Sequence, residues 1–377
     1  MKYYIIAGEA SGDLHGANLI ASIKKKDPRA KIRAWGGDLM KKQGATLVKH
    51  YRDLAFMGFV EVLLHLKTIL KNLSFCKKDI KRFAPDAIIL IDYPGFNIKV
   101  AKFAHKLGIK VYYYISPQVW AWKKRRVYTL KEVVDKMLVI LPFEKAFYDE
   151  YDVDSHFVGH PLLDELSKVK TVNKKLFVKQ NNLDSKKEII ALLPGSRKQE
   201  VSRMLEVMLK VVKMFPDYQF VVGCAPSLPE EYYKELVGDS NVNLVFNKTY
   251  DLLQVASAAV VTSGTATLET ALLYVPEVVC YKGNKISYHI AKKLIKVKYI
   301  CLVNLIMDKP VVKELIQNDL TPENVSVELR QILSNSNRQR ALLEDYEELR
   351  YILGNAGASD NAASVIVSDL KKSICNS

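Results

Sequence analysis

The sequence predicts an α/β protein of two doubly wound domains, and three observations predict it. Short apolar runs alternate with helical patterns along nearly the whole chain, as parallel strands joined by right-handed crossover helices require. The alternation halts at a polar, lysine-rich stretch, residues 167–187, and then begins again. The unusual side chains of both halves follow the predicted strands, at the edge where ligands bind in such folds. Two such units imply domains at residues 1–166 and 188–350, joined by a linker at 167–187 and facing an interdomain cleft.

In the first half the predicted strands are residues 3–7, 31–35, 87–91, 111–115, 136–141 and 156–158. Within 167–187 only residues 176–178 look core-forming, so the stretch reads as a linker or an exposed helix. The second half has strands at 189–193, 220–223, 242–246, 259–262 and 278–281. Helices fill the end of the chain. Asn355-Ala-Gly-Ala-Ser-Asp separates two of them and caps the last, and the final helix, 359–377, is expected to pack back on the first domain.

Composition narrows the function classes. The 377 residues are 49% hydrophobic and 26% charged, an ordinary globular balance at a length that suits two domains. Five dispersed cysteines, with no CxxC pair, fit free thiols in a reducing cytosol better than a disulfide frame or a zinc site. The apolar run at the N-terminus is too short for a signal peptide, and no stretch approaches the length of a transmembrane helix. A net charge of +15 favours anionic partners: nucleic acid, phosphorylated ligands or an acidic membrane surface. The basic runs at 24–26, 123–126 and 292–298 match no nucleic-acid-binding signature, so no nucleic-acid partner is expected.

Residues 260–269, Val-Val-Thr-Ser-Gly-Thr-Ala-Thr-Leu-Glu, are the most informative stretch. A buried strand ends at small hydroxyl and glycine residues, and a helix follows. Its first N–H groups and the positive end of its dipole suit a phosphate, and the hydroxyls of Ser263 and Thr265 beside Gly264 add donors. Glu269, a turn further in, suits the two hydroxyls of a ribose. A plain N-capped helix is the alternative. Leu193-Pro-Gly-Ser-Arg follows the first strand of the second half. Gly195 and Ser196 form a small backbone cup there, and Arg197 can fork onto a diphosphate. No GK[ST] follows, which argues against ATP hydrolysis.

In the first half, Gly8-Glu-Ala-Ser-Gly-Asp makes a strand-to-helix turn whose glycines let a ligand or a second domain approach the backbone. The spacing is not GxGxxG, so no nicotinamide or flavin is expected. Glu9, Ser11, Gly12 and Asp13 are taken as substrate-binding candidates. Asp92 ends a strand in Ile-Asp-Tyr-Pro-Gly-Phe-Asn and is the candidate general base, because partial burial raises a carboxyl pKa toward a useful value. A turn aspartate bonding its own backbone is the alternative. Ser116-Pro-Gln-Val-Trp-Ala-Trp follows another strand; Ser116, Trp120 and Trp122 are substrate-binding candidates, the indoles suiting a sugar face or an acyl chain. Residues 54–75 carry an apolar excess beside Lys67, Lys71, Lys77 and Lys78, which suits an interfacial helix on anionic lipid; a helix buried in its own domain is the alternative.

Six segments together resemble the lipid A disaccharide synthases in order and spacing. They are Gly8-Glu-Ala-Ser-Gly-Asp, Ser116-Pro-x-Val-Trp-Ala-Trp, Leu141-Pro-Phe-Glu, Gly159-His-Pro, Leu193-Pro-Gly-Ser-Arg and Ser263-Gly-Thr-Ala-x-Leu-Glu. The resemblance spans essentially the whole chain. It implies a GT-B fold and an inverting, metal-independent transfer without a cofactor. The implied donor is UDP-2,3-diacylglucosamine, the acceptor 2,3-diacylglucosamine 1-phosphate, and the products a β-1,6-linked disaccharide and UDP. It also implies a cytoplasmic enzyme, peripheral on the anionic inner-membrane surface, and leaves a homodimer open. Asn304, in Leu302-Val-Asn-Leu, resembles a family position tied to activity. One departure is Gly95, where many members carry a second acid. The rival readings are a UDP-sugar 2-epimerase of the same fold and a non-catalytic basic membrane-binding protein.

Overall fold

The computed structural model describes residues 1–53, 66–122, 124–283 and 298–375. The chain divides into two compact units, Met1–Ser167 with Leu353–Ser377, and Lys168–Ile352.

The first unit contains β1 (Lys2–Ala7), β2 (Lys31–Gly36), β3 (Thr46–His50), β4 (Ala87–Ile91), β5 (Lys110–Tyr114), β6 (Lys136–Val139) and β7 (Ser155–Phe157). They form one seven-stranded sheet in the order β3-β2-β1-β4-β5-β6-β7, with every pairing parallel. Its strands are apolar on both faces, as a sheet covered by helices on two sides must be. Tyr4, Ile6, Ile88, Leu90 and Tyr113 face a core shared with Leu73, Cys76, Ile80, Val100 and Val127 of the helices Leu66–Phe83, Pro94–His105 and Arg126–Val133. The alternate residues Tyr3, Ile5, Ile89, Ile91 and Tyr112 face the other core, built with Leu19, Ile20 and Ile23 of the helix Ala10–Lys26.

That second core is completed from the far end of the chain. Ala362, Ala363, Ile366, Val367 and Leu370 of the helix Ala358–Cys375 pack into it. The helix start is held by a remote side chain: Asp164 accepts the N–H groups of Gly357 (2.6 Å), Ala358 (3.1 Å) and Ser359 (3.0 Å). A carboxylate on the first N–H groups meets both their bonding need and the helix dipole.

The second unit contains β8 (Glu188–Leu193), β9 (Tyr218–Cys224), β10 (Val242–Phe246), β11 (Ala258–Thr262), β12 (Glu277–Tyr281) and β13 (Lys313–Ile316). Its six-stranded parallel sheet has the order β10-β9-β8-β11-β12-β13. The expected linker is not a separate segment: from Lys168 onward it belongs to this unit. Phe177 and Val178, in the helix Lys174–Gln180, are buried against Ile189, Ala191 and Leu193. The Gln219 amide ties its end by donating to the carbonyls of Asp184 (2.7 Å) and Lys187 (2.8 Å).

In each unit the strand order runs outward from the first strand and then crosses to its other side. The switch points, where doubly wound sheets leave a crevice at the carboxyl ends of the strands, are β1/β4 and β8/β11.

Candidate active site

Four loops named by the sequence fall at those two switch points. Ala7 pairs with Ile91, so the Gly8–Asp13 turn and Asp92 are neighbours at the tips of β1 and β4. Leu193 pairs with Val261, so the Arg197 loop and the Ser263 turn are neighbours at the tips of β8 and β11.

Asp92 sits in a distorted turn. Asp92 (φ 43°) and Tyr93 (φ 49°) are both left-handed, as is Ile115 (φ 62°) on the adjacent strand tip. Each such residue costs on the order of 1–3 kcal/mol when its surroundings hold it there. The surroundings do hold it. The Asn97 amide donates to the carbonyls of Ile91 (3.2 Å) and Asp92 (2.7 Å), the Tyr113 hydroxyl to that of Asp92 (2.6 Å). The Asp92 N–H donates to Ile115 (3.2 Å). Gly8 is required for the same reason, because a Cβ there would run into the Tyr93 ring. Burial pushes the Asp92 carboxyl up to about 6, the Glu9 and Glu144 charges add to this, and the Tyr93 N–H partly offsets it. Such a carboxyl is poised to take a proton near neutral pH. Gly95 is exposed and has nothing within 4 Å of the place a Cβ would occupy, so no neighbour requires glycine there.

The remaining candidates of the first unit have mixed surroundings. Glu9 is half-buried and accepts from the Ser11 hydroxyl at 2.5 Å. Gly12 lets the helix lie against β1, since its Cβ would come within 2.9 Å of the Ala7 Cβ. Asp13 is buried, and its two oxygens accept from the backbone N–H groups of Gly37 (2.7 Å), Leu39 (3.1 Å) and Met40 (3.1 Å). Its carboxylate thus caps the helix Asp38–Lys42, whose first turn has no local side-chain cap. The Ser116 hydroxyl and the Trp120 indole N–H are both committed to Glu144, at 2.6 and 3.1 Å. Trp120 keeps a half-buried ring, edge-on to Phe143 at 4.9 Å. The Trp122 side chain lies outside the described set, as do residues 54–65 of the candidate lipid helix. The helix Leu66–Phe83 buries Leu73, Cys76 and Ile80 and leaves Leu70 and Phe75 exposed.

In the second unit Gly195 adopts φ +106°, where a Cβ would collide with the Glu200 carboxylate. The Ser196 N–H donates to that carboxylate at 3.1 Å. The backbone cup therefore already receives an anion from its own helix. Ser227 and Tyr232 brace the loop by donating to the carbonyls of Ser196 (2.7 Å) and Lys198 (2.8 Å). Arg197 is exposed and has no ion-pair partner among the described residues.

Ser263 is tied down at both ends. Its N–H donates to Cys280 (2.9 Å) and its hydroxyl to the Ile300 carbonyl (3.2 Å). The donors left at the start of the helix Thr265–Leu272 are the N–H groups of Gly264, Thr265 and Ala266, which a helix cannot satisfy internally. Glu269 lies one turn in, half-buried, and accepts from the Tyr250 hydroxyl at 3.1 Å. Burial pushes its carboxyl above the ordinary range, and the Tyr250 bond pulls it back. Asn304 is buried with its amide committed inside the unit: Nδ2 donates to Val312 (2.9 Å) and Glu314 (3.0 Å), and Oδ1 accepts from the Val312 N–H (2.9 Å). Among the described residues no group of three or more His, Cys, Asp and Glu side chains is arranged to hold a metal ion.

Sequence reading missed Glu144, Tyr250, Asn97 and Asp164 as parts of these surroundings. Asn97 stood in the segment quoted for Asp92 and Glu144 in Leu141-Pro-Phe-Glu, and Glu144 had a local signal besides. It is the third residue of the helix Pro142–Asp149 and bonds the Leu141 N–H at 3.0 Å, half of a capping box.

Two parallel doubly wound sheets, one in each unit, are the architecture of the GT-B fold class. The fold is shared with a UDP-GlcNAc 2-epimerase from Neisseria meningitidis at a TM-score of 0.64 and 14% identity, covering 99% of this chain and 100% of that one. It is shared equally with the glycotransferase of kitacinnamycin, at a TM-score of 0.62 and 14% identity, over 97% of this chain and 98% of that one. At such identities the likeness is one of fold alone. In sequence, the family model for lipid-A-disaccharide synthetase matches residues 3–367. The lipid-A-disaccharide synthase of Syntrophus aciditrophicus is 43% identical over 98% of both chains, and that of Coxiella burnetii 38% over 96% of both. The chain belongs to the lipid-A-disaccharide synthetase family and is a glycosyltransferase of lipid A synthesis.

Proposed function

We propose that the enzyme transfers a 2,3-diacylglucosaminyl group from UDP-2,3-diacylglucosamine to the 6-hydroxyl of 2,3-diacylglucosamine 1-phosphate, with inversion and release of UDP. The observation that carries this reading is the Asp92 carboxyl, held at a strand tip in a braced turn and raised to about 6. Inversion needs the acceptor hydroxyl to attack opposite the departing UDP, and a base to take its proton in the transition state. Asp92 is that base.

UDP belongs to the second unit in this reading. Its diphosphate meets the Gly264–Ala266 N–H groups and Arg197, and Glu269 takes the ribose hydroxyls. Ser263 shapes that turn through its bonds to Cys280 and Ile300. The Gly195–Ser196 cup accepts phosphate oxygen by displacing Glu200. Arg197 and the helix start stabilise charge on the leaving diphosphate, so no divalent ion is required. Asp13 and Asn304 act through the segments they hold. Glu9, Ser11, Gly12, Ser116, Trp120 and Trp122 belong to the acceptor side. The enzyme works in the cytoplasm as a peripheral protein of the anionic inner-membrane surface.

The test is turnover of purified enzyme with both lipids in EDTA. The disaccharide 1-phosphate and UDP should appear in equal amounts, and only when acceptor is present. Formation of an epimer without acceptor, or activity that returns only with magnesium, would overturn the reading.

A further inference from the structure

One buried group at the tips of β5 and β6 is left without a role by this chemistry. Glu144 is 1% exposed. One oxygen accepts from the Ser116 hydroxyl (2.6 Å) and the Trp120 indole (3.1 Å), the other from the N–H groups of Ile140 (3.2 Å) and Leu141 (3.0 Å). Two of these donors are backbone N–H groups and one an indole N–H, none of which can accept a hydrogen bond in return. The four donors favour the ionised carboxylate, but burial outweighs them and holds the Glu144 carboxyl above its ordinary range. A buried carboxyl group bonded through both oxygens is rigid once built. It fastens residues 116–120, just after β5, to residues 140–141, just after β6.

We propose that Glu144 is a positioning residue for the transfer: it locks the Ser116–Trp120 loop in one geometry by tying it to the backbone at the tip of β6. The four-donor clamp on a side chain only 1% exposed carries this, and the Glu144 charge also acts, after burial and Glu9, to raise Asp92. The other groups acting on the Asp92 carboxyl are Glu9 from the loop after β1 and the N–H of Tyr93; the Tyr113 phenol on β5 bonds the Asp92 carbonyl and itself feels the Asp92 charge. The Tyr113 phenol in turn feels Tyr148 and Arg126. Removing the Glu144 charge leaves Glu9 as the remaining acid that raises Asp92.

The proposal rests on the acceptor side lying in the first unit. Its test uses the full-length enzyme with both lipid substrates and the variants Glu144→Gln, Trp120→Phe and their double. Misplacing a substrate-holding loop by a fraction of its width costs roughly 10- to 100-fold in kcat. Glu144→Gln should lose that much with UDP affinity unchanged. Adding Trp120→Phe should cost less than the product of the single effects, since both act through one clamp. The acidic limb of the kcat/KM profile should move to lower pH in Glu144→Gln, a change that loosened packing alone does not produce. Independent, multiplying effects with an unmoved limb overturn the proposal. If Glu144→Gln does not fold, the double variant Ser116→Ala/Trp120→Phe, which keeps Glu144, should show the same loss of kcat; near-parent activity there also overturns it. Should Asp92→Asn keep its rate, the base assignment fails, while the Glu144–Trp120 coupling still decides this proposal.

Discussion

At the scale of single residues, the assigned roles separate by what each change should leave untouched. Asp92→Asn keeps the shape of the turn but cannot take a proton, so kcat should fall by about 10²–10⁴ with UDP affinity level. In the parent enzyme kcat/KM should rise with pH through about 6, where Asp92 ionises, and this limb should be absent from the variant. Stability should move the other way. Because folding raises this carboxyl from 3.8 to about 6, its ionisation costs stability as pH rises through that window. Asp92→Asn should therefore gain in Tm relative to the parent above pH 6 and lose that gain at the acid end; equal behaviour at all pH would show that Asp92 is not buried as described. Glu269→Ala and Arg197→Ala should each weaken UDP by at least about tenfold, near 1.4 kcal/mol, in calorimetry. Unchanged affinity in both would remove UDP from these turns. The types and strand-tip positions of these residues were legible in the sequence, because βα turns are local. Their partners were not: nothing near Asp13 announces that Gly37, Leu39 and Met40 take its oxygens, and nothing near Ser263 announces Ile300.

At the scale of elements, eleven strands were legible as apolar runs, and the two that were not, β3 and β13, lie at sheet edges. Thr46–His50 is half-exposed along its length and Lys313–Ile316 buries only Leu315, so neither needs the continuous apolar run that marks a central strand. The last helix shows the same limit differently. Its packing back on the first domain was expected, but its cap comes from Asp164, some 193–195 residues away in the chain. That cap predicts a local effect. Asp164→Ala leaves three N–H groups without their acceptor and should cost about 2 kcal/mol in urea unfolding. Amide exchange should quicken first at the start of Ala358–Cys375. Loss confined to other segments would mean that Tyr112, which bonds Asp369 at 2.8 Å, and the apolar face hold this helix without its cap.

At the scale of the whole molecule, the quantity to explain is a net charge of +15 in an enzyme whose proposed substrates are lipids. Part of that charge has a defined place. Lys67, Lys71, Lys78, Lys81 and Arg82 are exposed on the helix Leu66–Phe83, opposite the buried Leu73, Cys76 and Ile80. Lys99 and Lys102 are exposed on Pro94–His105, where Phe103 lies 5.3 Å from the Lys77 ammonium and 5.8 Å from that of Lys81. Leu70 and Phe75 are exposed within this basic field. No helix among the described residues is long and apolar enough to cross a bilayer. Attachment, where it occurs, then combines shallow apolar contact with attraction to anionic headgroups, on the order of 1 kcal/mol per basic side chain near the surface. The two contributions respond differently to salt, which screens the charges and leaves the apolar term. The enzyme should sediment with anionic vesicles, less so at high salt but still measurably, and hardly at all with neutral ones. Replacing Lys67 and Lys71 by Glu should remove the salt-sensitive part. Replacing Leu63, Leu64 and Leu70 by Ser should remove the rest while the protein stays folded. If that triple variant unfolds, those leucines are core. If neither set changes binding, the positive charge serves the diphosphate and acceptor phosphate alone.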